Sequence, residues 1–191
     1  LARALEGAGR NDESLAMLDR LVAESPTAAH GDEAQFRRGE TWSIRQNYAG
    51  AEQAYAAVLA SGPASPFYEQ SLYKYGWALF KQSRYEEGLA AFARLIDRRL
   101  ASGEGSPAKS PEQQIEAMSR PERELLDDTL RVVSISLSYL DGAESIPPVL
   151  APWGDPDWTY LFYAALGDLY LDKERFQDAA ESYAAFVDRD P

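Results

Sequence analysis

The sequence predicts an all-α protein built from antiparallel helix pairs that stack side by side. The first observation is a frame of small and aromatic residues that recurs three times along the chain. In each copy a glycine stands 9 residues before an aromatic residue, 12 before a small residue and 16 before a second aromatic residue. The second observation is that the first two copies are 37 residues apart. Periods of about 34 residues are typical of helix–turn–helix arrays. The copies are Gly39, Tyr48, Ala51 and Tyr55; Gly76, Tyr85, Gly88 and Phe92; and Gly167, Phe176, Ala179 and Tyr183.

The repeated glycines predict a close contact between the two helices of each pair. A glycine inside a helix costs about 1 kcal/mol relative to alanine, so its recurrence at Gly39, Gly76 and Gly167 indicates a packing requirement. Because glycine has no side chain, the second helix can approach the backbone of the first, and the second aromatic residue of the frame would fill the seam. Pro63 and Pro191 mark the ends of second helices, since proline cannot continue a helix.

This frame resembles the tetratricopeptide repeat. With the glycine counted as position 8, the copies carry the aromatic residues of the family at positions 17 and 24 and the small residue at position 20. Two copies also carry the aromatic residue at position 11, as Trp42 and Tyr170, and the proline at position 32. The chain departs from the family at position 7, where Arg38 and Tyr75 replace the usual leucine, and at Leu100, which replaces the proline. The resemblance implies a right-handed α-solenoid and a fragment of a longer bacterial array.

The frame divides the chain into repeats in order. Leu15, Leu18 and Leu21 follow helical spacing, so we interpret the first segment as mainly the second helix of a partial repeat. Complete copies follow, and a degenerate copy precedes the last one. The predicted divisions are 1–26 (partial repeat), 31–65 (repeat), 66–100 (repeat), 101–120 (flexible loop insertion), 121–154 (degenerate repeat with a short second helix) and 157–191 (repeat).

The segment 101–120 interrupts the helical pattern. Residues 101–111 are rich in glycine, serine and proline and predict an exposed, mobile loop. Pro121 and Glu122 are then typical of a helix N-terminus. Leucine and valine residues with helical spacing predict a helix over 121–140.

The composition argues against several classes of function. The chain of 191 residues has a formal net charge of −12, which argues against nucleic acid as a partner, because phosphates require clustered lysine and arginine. No apolar run approaches the roughly 18 residues needed to cross a bilayer, so direct membrane insertion is not expected. The absence of cysteine excludes disulfides and thiolate sites. The general pattern resembles tetratricopeptide repeat proteins of bacterial cell envelopes, which favours a periplasmic location, with the cytoplasm as the alternative.

The sequence predicts no catalytic, cofactor or metal site. Its single histidine, His30, lies in a predicted turn, where a Ser-His-Asp or Cys-His arrangement cannot be assembled around it. The GEGS stretch at 103–106 lacks the preceding strand and following helix of a phosphate-binding loop. Asp155 and Asp157 lack the spacing of a calcium loop. We therefore expect a protein that is not an enzyme and that holds no cofactor.

The resemblance implies that the first helices of the repeats line a concave groove that binds a partner. In the second copy, Tyr73, Trp77 and Phe80 share one helical face with lysines beside them, as aromatic anchors do in interaction hot spots. The alternative is that these rings pack in the core or against a neighbouring repeat. The carboxylate clamp of the family is not matched, because position 9 is never asparagine. The predicted groove residues are Phe36, Arg37, Glu40, Tyr73, Lys74, Trp77, Phe80 and Lys81.

The predicted function is a non-catalytic scaffold that captures a peptide or helix of a protein partner in this groove. The aromatic residues would anchor apolar groups, and Arg37, Lys74 and Lys81 would pair with acidic groups of the partner. Two alternatives stay open. The array would instead self-associate as a structural protein, or it would be the recruiting or regulatory part of a larger enzyme.

Overall fold

The chain is helical throughout the residues that the structure describes. The computed structural model describes residues 2–24, 31–100, 109–154 and 156–188, and these ranges contain helices and turns but no β-strand. The predicted all-α fold class is confirmed. Two units make up the chain, Leu1–Arg84 and Tyr85–Pro191.

In its described residues, the first unit contains five helices, each packed against the next along the chain. Its core includes Tyr55 and Leu79, which are fully buried, and Tyr55 packs with Ala51 and Ala78. This packing joins the second helix of one pair to the first helix of the next. The helices are α1 (Ala2–Gly7), α2 (Asn11–Glu24), α3 (Gly31–Ile44), α4 (Tyr48–Ala60) and α5 (Tyr68–Lys81).

The second unit contains six α-helices and two 3-10 turns within the described residues. Trp158 and Phe162 are buried in its core, and the indole Nε1 of Trp158 donates to Asp97 Oδ1 at 3.2 Å. This bond ties the segment that precedes α10 to α6. The helices are α6 (Tyr85–Leu100), α7 (Pro111–Ala117), α8 (Arg120–Ser138), α9 (Ile146–Leu150), α10 (Tyr160–Asp172) and α11 (Phe176–Val187), with 3-10 turns at Gly142–Ser145 and Ala151–Trp153.

The predicted contact between glycine and aromatic ring is confirmed in two copies of the frame. A Cβ atom placed on Gly39 would lie 2.4 Å from Cε1 of Tyr55, and one placed on Gly167 would lie 2.4 Å from Cζ of Tyr183. Both distances are well inside van der Waals contact. The rings therefore occupy the space that a side chain on the first helix would need.

Helices α3, α5 and α10 end in the same turn. Gln46, Ser83 and Glu174 follow the repeat glycines by seven residues and have positive φ angles of 59°, 60° and 57°. In each turn the next backbone N–H donates to the carbonyl oxygen five residues earlier, at 2.9, 3.0 and 2.8 Å respectively. This pattern is the Schellman motif, which satisfies the last carbonyl groups of a helix. In these three turns the residue with the positive φ angle is not glycine, although the left-handed conformation is unfavourable for residues that carry a side chain.

The structure corrects the prediction that 101–120 is a loop throughout. Residues 101–108 lie outside the described residues, but α7 occupies part of the remainder. Ser110 Oγ accepts a hydrogen bond from the backbone N–H of Gln113 at 3.4 Å, and Gln113 Oε1 accepts one from the backbone N–H of Ser110 at 3.2 Å. This capping box starts α7, because it satisfies two donors that the first turn of a helix leaves open.

Candidate protein-interaction site

The eight predicted groove residues lie on α3 and α5 in the first unit. Seven of them line two pockets, which we name the Phe36 pocket and the Trp77 pocket. The Phe36 pocket is lined by Phe36, Arg37, Glu40, Thr41, Ile44, Arg45 and Phe67. The Trp77 pocket is lined by Ser43, Tyr48, Tyr73, Lys74, Trp77, Ala78 and Lys81.

The Trp77 pocket is an aromatic pocket of about 270 Å³. The ring of Trp77 meets Tyr73 edge to face with centroids 6.4 Å apart, and it meets Phe80 in the same way at 5.5 Å. Edge-to-face contacts at these distances are favourable. The Lys81 ammonium lies 5.6 Å from the centroid of the Trp77 ring, within the range of a cation–π interaction. Of the predicted residues of α5, four line this pocket and the fifth, Phe80, contacts the ring of Trp77.

The Phe36 pocket has a volume of about 450 Å³. Phe36 stacks on Phe67 with ring centroids 5.3 Å apart and also contacts the buried ring of Tyr55 at 5.8 Å. Phe36 therefore contributes to the core of the unit as well as to the pocket. Ile44 leaves 75% of its surface exposed, which makes it the main apolar side chain that the fold leaves open to solvent here.

The Glu40 carboxylate lies where the two pockets meet. Glu40 Oε1 accepts a hydrogen bond from the Tyr55 hydroxyl at 2.6 Å and lies 3.3 Å from Lys74 Nζ. Because Glu40 lines the Phe36 pocket and Lys74 lines the Trp77 pocket, their ion pair forms the border between the pockets. On the same face, Arg37 Nε pairs with Glu33 Oε1 at 3.0 Å. Two of the three cations that were predicted to pair with a partner thus already have carboxylate neighbours within the unit.

The hydroxyl of Tyr55 is held in its protonated, donating form. Burial raises the pKa of Tyr55 above its ordinary value, and the hydrogen bond to Glu40 raises that pKa further. Towards an ionised carboxylate a neutral hydroxyl can only donate, so this hydrogen bond helps to fix the position of the Glu40 side chain. Glu40 is consequently a residue that the fold orients, in addition to lining a pocket.

The last repeat contains the same tyrosine–carboxylate pair. Tyr183 donates to Asp168 Oδ1 at 2.6 Å, and Asp168 has the same position in its repeat frame as Glu40 in the first. The corresponding residue of the second frame is Trp77, and the tyrosine is replaced there by Phe92, which has no hydroxyl. Position 9 is therefore tied to the second helix in two frames, whereas in the second frame it presents an indole ring.

The lining residues outside the eight predicted ones include Phe67, Arg45, Tyr48 and Thr41. Phe67 lies directly before α5. It lines the pocket because the connection between α4 and α5 places its ring against Phe36. Arg45 and Tyr48 flank the turn after α3, outside the groove positions implied by the family resemblance. Thr41 is buried, and its hydroxyl donates to the Arg37 carbonyl oxygen at 3.0 Å. The aromatic character of Phe67 in a polar connection was the one available signal.

Metal-binding clusters and membrane-spanning helices are both absent from the described part of the chain. Across the described ranges, no three or more His, Cys, Asp or Glu side chains are placed to share a metal ion. Within the same ranges, no helix has the length and apolar character needed to span a membrane. His30 and Asp155 lie outside the described residues.

Comparison with known proteins identifies the family. A model of the family described as tetratricopeptide repeat matches residues 1–66, 45–107 and 164–191. A comparison with curated proteins gave no match. Tetratricopeptide repeats generally mediate protein–protein interactions, and domains built from them are typically non-catalytic scaffolds. Because the matched residues cover well over half of the chain, this protein belongs to the tetratricopeptide repeat family.

Proposed function

We propose that this protein is a non-catalytic scaffold that captures a peptide or helix of a partner protein on the face formed by α3 and α5. The partner places apolar side chains in the Phe36 pocket and the Trp77 pocket. The observation that supports this most directly is the pair of pockets itself, about 450 and 270 Å³, on neighbouring first helices of the repeats.

The side chains of the two pockets suit this role. Pockets that bind ligands are lined mainly by apolar and aromatic groups with a few polar groups that orient the ligand. The Trp77 pocket has three aromatic rings, from Tyr48, Tyr73 and Trp77, and the Phe36 pocket has two. The exposed Ile44 adds an aliphatic contact. Aromatic residues at the centre of an interface commonly contribute the largest share of the binding energy.

Trp77 is the principal anchor in this proposal. The carboxylates at the equivalent positions, Glu40 and Asp168, are engaged by tyrosine hydroxyls of their own repeats. The indole of Trp77 is instead surrounded by other rings and a lysine, and its edge-to-face neighbours keep the ring in place without closing the pocket. A ring that is already ordered loses little conformational freedom when a partner binds.

The test is a selection of peptides from a random library displayed on phage, with the purified chain as bait. Peptides that are enriched are synthesised, and their affinities for the chain are measured by isothermal titration calorimetry. We expect Trp77→Ala to weaken binding at least about tenfold, which corresponds to about 1.4 kcal/mol. Ile44→Ser is expected to weaken it less, because its contact lies at one side of the Phe36 pocket.

Matched control variants are available in the second unit. Trp153→Ala removes a partly exposed tryptophan from a 3-10 turn, and Val187→Ser removes an aliphatic side chain that is 59% exposed. Both should leave the affinities unchanged. Equal affinities for the Trp77→Ala chain and the parent would contradict the proposal and make the aromatic stripe structural. If the library yields no binder and the mass of the chain rises with concentration, self-association replaces partner capture as the function.

A further inference from the structure

We infer that the partner segment captured on the α3–α5 face is acidic, with carboxylate side chains next to its apolar anchors. This inference rests on the proposed function. It concerns the charge of the occupant, which the presence of two apolar pockets alone does not determine.

The charge of the two pockets is opposite in sign to that of the chain. The whole chain has a net charge of −12. The ionisable side chains that line the pockets comprise the basic residues Arg37, Arg45, Lys74 and Lys81 and the single acid Glu40. The side chains that line the two pockets therefore carry a net positive charge on an acidic protein, although Glu33 and Asp12 lie beside two of these cations. Such a lining attracts negatively charged segments and disfavours positively charged ones.

The existing ion pairs leave this positive charge available to a partner. Arg37 pairs with Glu33 and Lys74 with Glu40, but each side chain of these pairs retains between 22% and 39% of its exposure to water. Arg45 pairs with Asp12, whose side chain is 90% exposed. Exposed ion pairs of this kind contribute little to stability. A carboxylate from a partner can share these cations without breaking a buried interaction.

Lys81 is the cation that we expect to make the strongest contact. It is exposed and lies over the Trp77 ring, and among the described residues it forms no ion pair with a carboxylate. A partner that places an apolar side chain against Trp77 therefore has a cation within a few ångströms of that side chain. The structure favours a partner motif in which an acidic residue and an apolar anchor lie within one helical turn of each other, or are adjacent in an extended peptide.

A basic partner segment would meet unfavourable charge in both pockets. The one acidic residue, Glu40, already accepts the Tyr55 hydroxyl and faces Lys74. A lysine or arginine from a partner would have to compete with Lys74 for this carboxylate while it approached three further cations. The arrangement therefore selects against basic peptides as well as in favour of acidic ones.

The test compares peptide pools selected from one random library by different baits. With the parent chain as bait, we expect Asp and Glu to be enriched at least about twofold over the unselected library at positions within four residues of an apolar anchor. The Lys81→Gln bait should reduce this enrichment, and the Lys81→Glu bait should abolish it. Lys173→Gln and Lys173→Glu are the matched control baits, because Lys173 is an exposed lysine at the end of α10 in the second unit. They should reproduce the pool of the parent chain.

Affinity measurements on the selected peptides complete the test. For an acidic peptide, we expect Lys81→Glu to weaken binding at least tenfold, Lys173→Glu to leave it unchanged, and added salt to weaken it because charges at the surface are screened. Selected peptides that are neutral or basic but still require Trp77 would overturn the inference and leave the proposed function in place. Selected peptides whose binding is insensitive to Trp77→Ala would overturn both. An acidic pool that is unchanged by Lys81→Glu would also overturn the role assigned to Lys81.

Discussion

The α3–α4 and α10–α11 helix pairs share one internal contact but differ in how deeply it is buried. In both pairs a tyrosine of the second helix lies against a glycine of the first and donates to a carboxylate on the same helix as that glycine. Tyr55 is completely buried, whereas Tyr183 keeps part of its side chain in contact with water. The contact is therefore encoded within a repeat, and its burial depends on what covers the repeat.

The second helices of the two pairs show the same difference on their outer faces. In the first pair, Glu52 of α4 accepts hydrogen bonds from Gln82 at 2.8 Å and from Arg84 at 2.6 Å, so the next helix, α5, is tied to α4 at its end. The corresponding residue of α11 is the exposed Ala180, and nearby Phe176 and Val187 are 66% and 59% exposed. The position of Glu52 thus carries a charged residue in α4 and an alanine in α11.

The largest expected effect comes from adding a methyl group at the two glycines. Gly39→Ala forces the buried ring of Tyr55 to move, and we expect a loss of about 2 kcal/mol, since overpacking costs about 1–3 kcal/mol or more and the gain in helix propensity returns only about 1 kcal/mol. Gly167→Ala should cost about 0–1 kcal/mol, because the tip of the Tyr183 side chain can swing towards solvent. Hydrogen exchange of the amides in α4 and α11 reports the two pairs separately.

The control for this experiment is Gly7→Ala in α1. A Cβ atom at Gly7 would meet no heavy atom within 4 Å, so only the gain in helix propensity remains and the variant should be neutral or slightly stabilising. Losses of the same size at Gly39 and Gly167 would contradict the view that burial decides the cost of the contact.

The contacts within a helix pair could be predicted from the sequence because they depend on spacing alone. Gly39 and Tyr55 are 16 residues apart, as are Gly167 and Tyr183, and this spacing places them opposite each other whenever two helices are joined by a short turn. Glycine recurs at a helix position where it is unfavourable, and this recurrence indicated a close contact between the two helices of each pair. The fold class followed from the same frame.

Other features could not be predicted because they depend on backbone conformation or on long side chains. The left-handed turns at Gln46, Ser83 and Glu174 contain no glycine, so the sequence lacks the usual signal for such a turn. The pairing of Glu40 with Lys74 depends on how α3 and α5 are placed, and each residue has several possible neighbours. At the candidate site, the sequence therefore indicated the helix faces and the aromatic residues, whereas the partners of the charged groups required the structure.

A smaller effect is expected when each tyrosine hydroxyl is removed. Tyr55→Phe removes a donor from the Glu40 carboxylate, and we expect a loss of about 1.5 kcal/mol, the low end of the range for hydrogen bonds to charged groups, because this carboxylate keeps contact with water. Tyr183→Phe should cost about 0.5–1 kcal/mol, because water can replace the hydroxyl at Asp168. Double-mutant cycles with Glu40→Gln and Asp168→Asn would measure the two coupling energies. A coupling energy at Tyr183–Asp168 that equals or exceeds the one at Tyr55–Glu40 would be evidence against the assigned effect of burial.

The smallest effect is a loss of stability at high pH that belongs to Tyr183. The hydrogen bond to Asp168 is the main reason that the pKa of Tyr183 rises from 10.0 to about 12. Between these two values the unfolded chain has lost the hydroxyl proton while the folded chain retains it, so the free energy of unfolding falls as the pH rises. The contribution of this bond is complete below about pH 10 and is lost as the pH approaches about 12. Urea unfolding of the parent and Tyr183→Phe chains, monitored by circular dichroism at several pH values in this window, should show a steeper fall in the free energy of unfolding for the parent. Identical slopes would mean that the hydroxyl gains no protection from Asp168, and the likeness between the two helix pairs would then be confined to the glycine contact.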